Sequence, residues 1–360
     1  VSLTLGSGQT LLLTASQADG ASIAGSGTVV VSGDVGGVDL SGLSVGTLDL
    51  TGATNSIPLS RMFSLGLGSN QTVLLNSAEA DGAVISGGLI KVSGDLSTAD
   101  LGGISSNLDL SGATLGTGAI NLDLQANQIL TLNGTEANGA SVTGDSGSEV
   151  IVTGALVSDA NLNGLSAATI DLTHASLGGL LTGFTIGTGQ TLLLTASQAD
   201  GASITGSGTV VVSGDVGGMD LSGLSAETLD LTGATNSIPL SRMFSLWLGS
   251  NQTVLLSAAE ADGAVISGGL VKVVGDLSAK DLGGISSNLD LSGATLGTGA
   301  INFDLQANQI LTLNGTEANG ASVTGDSGSE VIVTGALVSD ASLNGLSAAT
   351  IDLTHASLGG

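Results

Sequence analysis

The sequence predicts an all-β fold: a right-handed parallel β-solenoid of about 20 residues per coil and about 18 coils, one continuous stack over residues 1–360. Three observations carry that expectation. The chain repeats itself, since sliding it by 181 residues matches roughly nine positions in ten and lays Gln9 on Gln190, Phe63 on Phe244 and Ala137 on Ala318. Its apolar runs are short and rich in Val, Ile, Leu and Thr, with none of the sustained three-four spacing of a long helix. Glycine, 59 of the 360 residues, punctuates those runs every few positions, where a helix interior would lose about 0.5–1 kcal/mol per glycine relative to alanine.

The duplication divides the chain into 1–181 and 182–360, and each half holds three weaker copies of about 60 residues. Within a copy the elements follow in a fixed order. An apolar stretch such as Phe184-Thr185-Ile186 leads to a turn ending in Gln190, and the strand Leu192 to Leu194 follows. Next comes an Asx-Gly turn, at Asp19-Gly20, Asp81-Gly82, Asn138-Gly139, Asp200-Gly201, Asp262-Gly263 and Asn319-Gly320. Asx tolerates left-handed backbone angles and Gly enters them without steric cost, so these pairs predict corners, the Asx satisfying its own backbone. Val210 to Val212 then leads to Gly214, and Leu229-Asp230-Leu231 closes the copy. Division at Thr191, Thr209 and Thr228 gives segments of coil length, which would stack at about 4.8 Å with Leu on Leu and Val on Val inside.

The stretch Ala160-Asn161-Leu162-Asn163-Gly164, Leu165 to Thr169, Ile170-Asp171-Leu172-Thr173-His174 and Ala175 to Gly179 resembles the five-residue A(D/N)LXX register of pentapeptide-repeat β-helices. It covers about one coil in three. The whole chain is similar to the Gly-, Thr- and Asp-rich, Cys-free repeat regions of very large bacterial adhesins, surface-layer proteins and extracellular filaments. That resemblance implies secretion to the cell surface, a scaffold role and often calcium. Leu40, Leu43, Leu48 and Leu50 also fit a leucine-rich pattern, the alternative fold, although only once in three coils.

Composition narrows the function. Net charge is −26, which disfavours binding to phosphate backbones. The absence of Cys removes disulfide staples and thiolate zinc sites. Apolar runs are far too short for insertion in a membrane as a helix. Aromatic residues make up 1% of the chain, leaving few platforms for sugar binding, and no Gly-x-Ser-x-Gly elbow occurs, so no enzyme is expected. Val1 and Gly360 both fall in mid-pattern, which predicts a segment of a longer chain or a processed product.

Four sets of residues stand out. Asp49, Asp109, Asp171, Asp230, Asp290 and Asp352 alternate with leucines, which predicts a solvated outer row. Gly36-Gly37-Val38-Asp39-Leu40 and Gly217 to Leu221 partly match the calcium-binding nonapeptide, making Asp34, Asp39, Asp215 and Asp220 the candidate Ca2+ ligands. His174 and His355 lie 181 residues apart, too far along a straight rod to share a metal. Pro58, Arg61, Phe63, Pro239, Arg242, Phe244 and Trp247 cluster where the repeat is most disturbed and are the candidate lateral contact, because Arg and Trp are enriched at interface hot spots. The expected function is a structural extracellular scaffold, the repeat unit of a self-assembling surface layer, fibre or filament whose partner is another copy of itself. The alternatives are an adhesin stalk presenting a binding tip and a polysaccharide-acting β-helix enzyme.

Overall fold

A computed structural model describes residues 2–54, 56, 65–115, 121–158, 160–235, 246–278, 280–296 and 302–357. The protein is all-β with about 7% helix, its parallel sheets stacked as a β-solenoid of about 16 turns spaced about 20 residues apart. Two compact units divide it, residues 1–179 and 180–360, two residues ahead of the boundary that the duplication marks. Among the described residues no helix is long and apolar enough to cross a membrane.

In each unit a coil has up to three faces. The second face forms the unbroken ladder. In the first unit its rungs are 10–14, 28–32, 47–49, 72–76, 89–93, 107–109, 129–133, 149–153 and 169–171, every neighbouring pair parallel and in register. The second unit repeats this from 191–195 to 350–352. Alternation sends one set of side chains inward, so Val29, Val73, Ile90, Leu130, Val150 and Ile170 stack as a buried column. Burial of each such side chain is worth about 1.5–3 kcal/mol, and cohesion accumulates coil by coil.

The first face behaves differently. Its strands pair in groups of three, one group per 60-residue copy: Ser2–Leu5 with 22–25 and 43–45, and Asn121–Leu124 with Ser141–Gly144 and Leu165–Ser166. Leu65–Gly66 pairs with Ile85–Ser86, which bridges to Ile104. The second unit has the same grouping. Among the described residues no first-face pairing crosses from one copy to the next inside a unit. We call these breaks seams.

The third face holds short strands such as Ala53–Thr54 beside 33–34, and Ala175–Leu177 beside 154–156. In the first coil of every copy a single helical turn replaces that strand: α1 (Ala15–Ala18), α2 (Ser77–Ala80), α3 (Gly134–Ala137), α4 (Ala196–Ala199), α5 (Ala258–Ala261) and α6 (Gly315–Ala318). The expectation of strands and corners alone is corrected here. Each helix opens on Thr, Asn or Ser, with Gln or Glu three residues on, the sequence of a capping box. Gln17 Oε1 accepts the Thr14 amide at 2.9 Å, and Asn76 Oδ1 accepts the Ala78 amide at 2.9 Å. The last alanine of all six helices is fully buried, and a larger side chain would have nowhere to go.

The pentapeptide-like stretch obeys its five-residue spacing locally. Leu162, Ala167 and Leu172 all point into the interior.

Candidate functional site: the inter-coil clamps

The six Asx-Gly turns are one structure repeated. Gly20, Gly82, Gly139, Gly201, Gly263 and Gly320 have φ between 62° and 78°, where a β-carbon is disfavoured. The preceding Asx bonds to the next coil rather than to its own turn, which corrects the Asx-turn expectation. Asp19 Oδ1 accepts the Asp39 amide at 2.9 Å, Asp81 that of Asp100 at 2.8 Å, and Asn138 that of Asn161 at 2.8 Å. Asp200, Asp262 and Asn319 do the same to Asp220, Asp281 and Ser342 at 2.7, 2.9 and 2.8 Å. The glycine amide returns a bond to the carbonyl of that same residue, at 2.6–2.9 Å across the six copies. A side chain and an amide therefore grip one residue of the next coil as a strand would. The C-terminus of the helical turn brings the Asx oxygen to the coil edge beside the glycine amide.

Three residues beyond the gripped position lies a glycine in tight contact. A β-carbon at Gly42, Gly103, Gly164, Gly223, Gly284 or Gly345 would stand 2.0–2.3 Å from the carbonyl oxygen of the alanine that follows each Asx-Gly pair. These glycines permit the coils to touch.

A second device sits at the seams. Gln71 Nε2 donates to Val45 O at 3.0 Å, Gln128 Nε2 to Ser106 O at 2.7 Å, Gln252 Nε2 to Leu224 O at 2.7 Å and Gln309 Nε2 to Ser287 O at 2.7 Å. Their Oε1 atoms accept the amide three residues earlier, as Gln71 does from Gly68 at 2.7 Å. The landmark glutamine thus caps first-face carbonyls of the preceding coil where no strand continues the ladder. Periodicity marked this residue, but its partners lie 22–28 residues upstream and only the fold reveals them.

The aspartates of the Leu-Asp-Leu strands close corners. Asp49 Oδ1 accepts both the amide and the hydroxyl of Thr51, at 2.9 and 2.6 Å, and Asp109, Asp171, Asp230 and Asp290 bond alike to the Ser or Thr two residues on. Asp352 takes the Thr354 amide. Lys91 and Lys272 reach Asp109 and Asp290 on the adjacent rung at 2.9 and 3.3 Å. Burial raises the carboxyl of Asp109, but the Ser111 hydroxyl and the Lys91 ammonium outweigh it and hold the group below its ordinary range. His174 and His355 are exposed and each faces its own Asp171 or Asp352 at 3.3 and 3.7 Å.

The candidate calcium ligands are engaged in the same way. Asp34 accepts the amides of Gly36 and Ser56, Asp39 the amide and hydroxyl of Ser41, Asp215 the amide of Gly217, and Asp220 both groups of Ser222. The Ser56, Ser41 and Ser222 hydroxyls hold Asp34, Asp39 and Asp220 below the ordinary carboxylate range. Among the described residues no three Asp, Glu or His side chains gather in a metal-binding group. Of the candidate lateral contacts, Pro58, Arg61, Phe63, Pro239, Arg242 and Phe244 lie outside the described residues. Trp247 is 80% exposed on the first face, beside Gly268 of the next coil.

A cavity of about 680 Å³ opens at the second seam of the second unit, lined by Ile285, Ser286, Phe303, Leu305 and Gln309 among others. Compared with known proteins, the chain matches no family model, no curated protein and no solved structure.

Proposed function

We propose that this chain is a structural extracellular scaffold, the repeat unit of a self-assembling surface layer, fibre or filament. The observation that carries the reading is the sixfold clamp: the same side-chain and amide grip recurs in every copy, and its chemistry holds one coil to the next. Catalysis calls for a local constellation that breaks a repeat. Cohesion calls for the repeat itself. The extracellular setting rests on the resemblance of this Gly-, Thr- and Asp-rich, Cys-free chain to the repeat regions of bacterial adhesins and surface-layer proteins. Electron microscopy of the purified chain over a range of concentrations, with Ca2+ and with a chelator, tests the reading. Uniform rods that join into filaments or sheets are expected. Particles that stay single at every concentration in both conditions would overturn it.

A further inference from the structure

Weakness in this molecule is not spread evenly. Among the described residues of each unit the first-face ladder stops at every copy boundary, while the second-face ladder crosses it, as 47–49 beside 72–74 and 289–290 beside 311–312 show. At those boundaries a glutamine amide stands in for the missing strand. Three buried side-chain oxygens lack a hydrogen-bond partner among the described residues, Glu79 Oε1, Ser106 Oγ and Ser287 Oγ, and all three lie in coils next to a copy boundary. Ser106 and Ser287 belong to the last coil before one, and Glu79 to the first coil after one. An unpaired buried polar atom is costly to the folded state, because opening returns it to water. The cavity between Ile285 and Phe303 lies at a seam as well.

We infer that the 60-residue copy is the mechanical element of each unit: the solenoid opens at its seams, hinged on the continuous second face, with Gln71, Gln128, Gln252 and Gln309 as latches. The coil cannot be that element, since inside a copy both the first-face and the second-face ladders run through from coil to coil. The inference does not depend on the scaffold reading. It concerns where the fold yields, whatever load or partner makes it do so.

Amide hydrogen exchange on the full chain tests it, because local openings exchange amides in contiguous blocks. First-face amides bordering a seam, in Asn121–Leu124 and Asn302–Leu305, should exchange about tenfold faster than those of Ser141–Gly144 and Ser322–Gly325 within the copy. Gln309→Met keeps the volume and removes the latch, so exchange in 285–287 and 302–305 should rise about tenfold with 322–325 unchanged. Ser287→Ala removes an unpaired hydroxyl at the same seam and should slow the same amides several-fold. The opposite signs separate latch loss from general damage, and the serine variant carries the test alone if the glutamine variant does not fold. Exchange blocks that end inside a copy, equal protection on both sides of the seams, or a Ser287→Ala variant that exchanges no more slowly would overturn the inference.

Discussion

The second and third copies of the first unit build the same coil with different charges. At the clamp the second copy uses Asp81 and the third Asn138, and both accept the next coil's amide at 2.8 Å. At the third residue of the helix both carry glutamate, yet its fate differs. Glu136 Oε2 reaches the Leu115 amide of the preceding coil at 2.9 Å. Glu79 Oε2 accepts the Asn76 amide at 3.2 Å, and its other oxygen is buried with no partner among the described residues. The clamp tolerates either charge state because it lies at the surface, where only an acceptor oxygen is required. At the helix position a buried carboxylate carries a cost, because burial penalises a charge that local donors only partly satisfy.

The largest break in this comparison is one that treats both copies alike. Gly103→Ala and Gly164→Ala each put a β-carbon within 2.3 Å of a carbonyl oxygen of the previous coil, Ala83 or Ala140, so neighbouring coils must separate. Each substitution should cost about 3 kcal/mol, read as a lower denaturant midpoint. Equal losses in the two copies are expected. A neutral result in either would mean that the coils are not in contact at that glycine.

Most of this architecture is legible in the sequence. Asx-Gly pairs recurring once in every copy located all six corners, and short Val- and Leu-rich runs bounded by glycine located the ladder. The helices were missed because α1 to α6 are one turn each, below the length at which helical periodicity registers. The Thr14-x-x-Gln17 and Asn76-x-x-Glu79 patterns were the available signal. The aspartates proposed for calcium carried a local signal too: Asp39-x-Ser41 and Asp220-x-Ser222 place a hydroxyl and an amide two residues on, where the carboxylate closes its own turn. The seams were not legible. A glutamine capping a carbonyl of the previous coil depends on a strand that is missing from one face only, and periodicity records what recurs rather than what pairs.

A smaller effect sharpens the comparison at the clamp. Asp81→Ala and Asn138→Ala should each lose about 1 kcal/mol, since the gripped amide must turn to water. Asp81→Asn should stay within about 0.5 kcal/mol of the parent, having made the second copy into the third. A loss on Asp81→Asn as large as on Asp81→Ala would show that charge, not the acceptor oxygen, is what the turn needs.

The smallest effect lies at the helix and is read through pH. Glu79 is fully buried, and desolvation raises its carboxyl above the ordinary range although the Asn76 amide and side chain pull the other way. Between the unfolded and the raised folded value, the native state holds the proton that the unfolded chain has released, so stability falls as pH rises through that window and is fully present below it. Glu79→Gln removes the titration and leaves an amide whose oxygen can still accept from Asn76. Nature has made this exchange in α1 and α4, where Gln17 and Gln198 fill the position. The variant should be more stable than the parent by somewhat less than about 1 kcal/mol at pH 7, and the gain should vanish at pH values below the unfolded glutamate value of about 4.3. Denaturant midpoints at pH 4 and pH 7 measure it. Glu136→Gln has no buried unpaired oxygen to relieve among the described residues, and the same pair of midpoints should show no gain. Parallel behaviour of the two variants would mean that the helix position, and not the unpaired oxygen of Glu79, sets the cost.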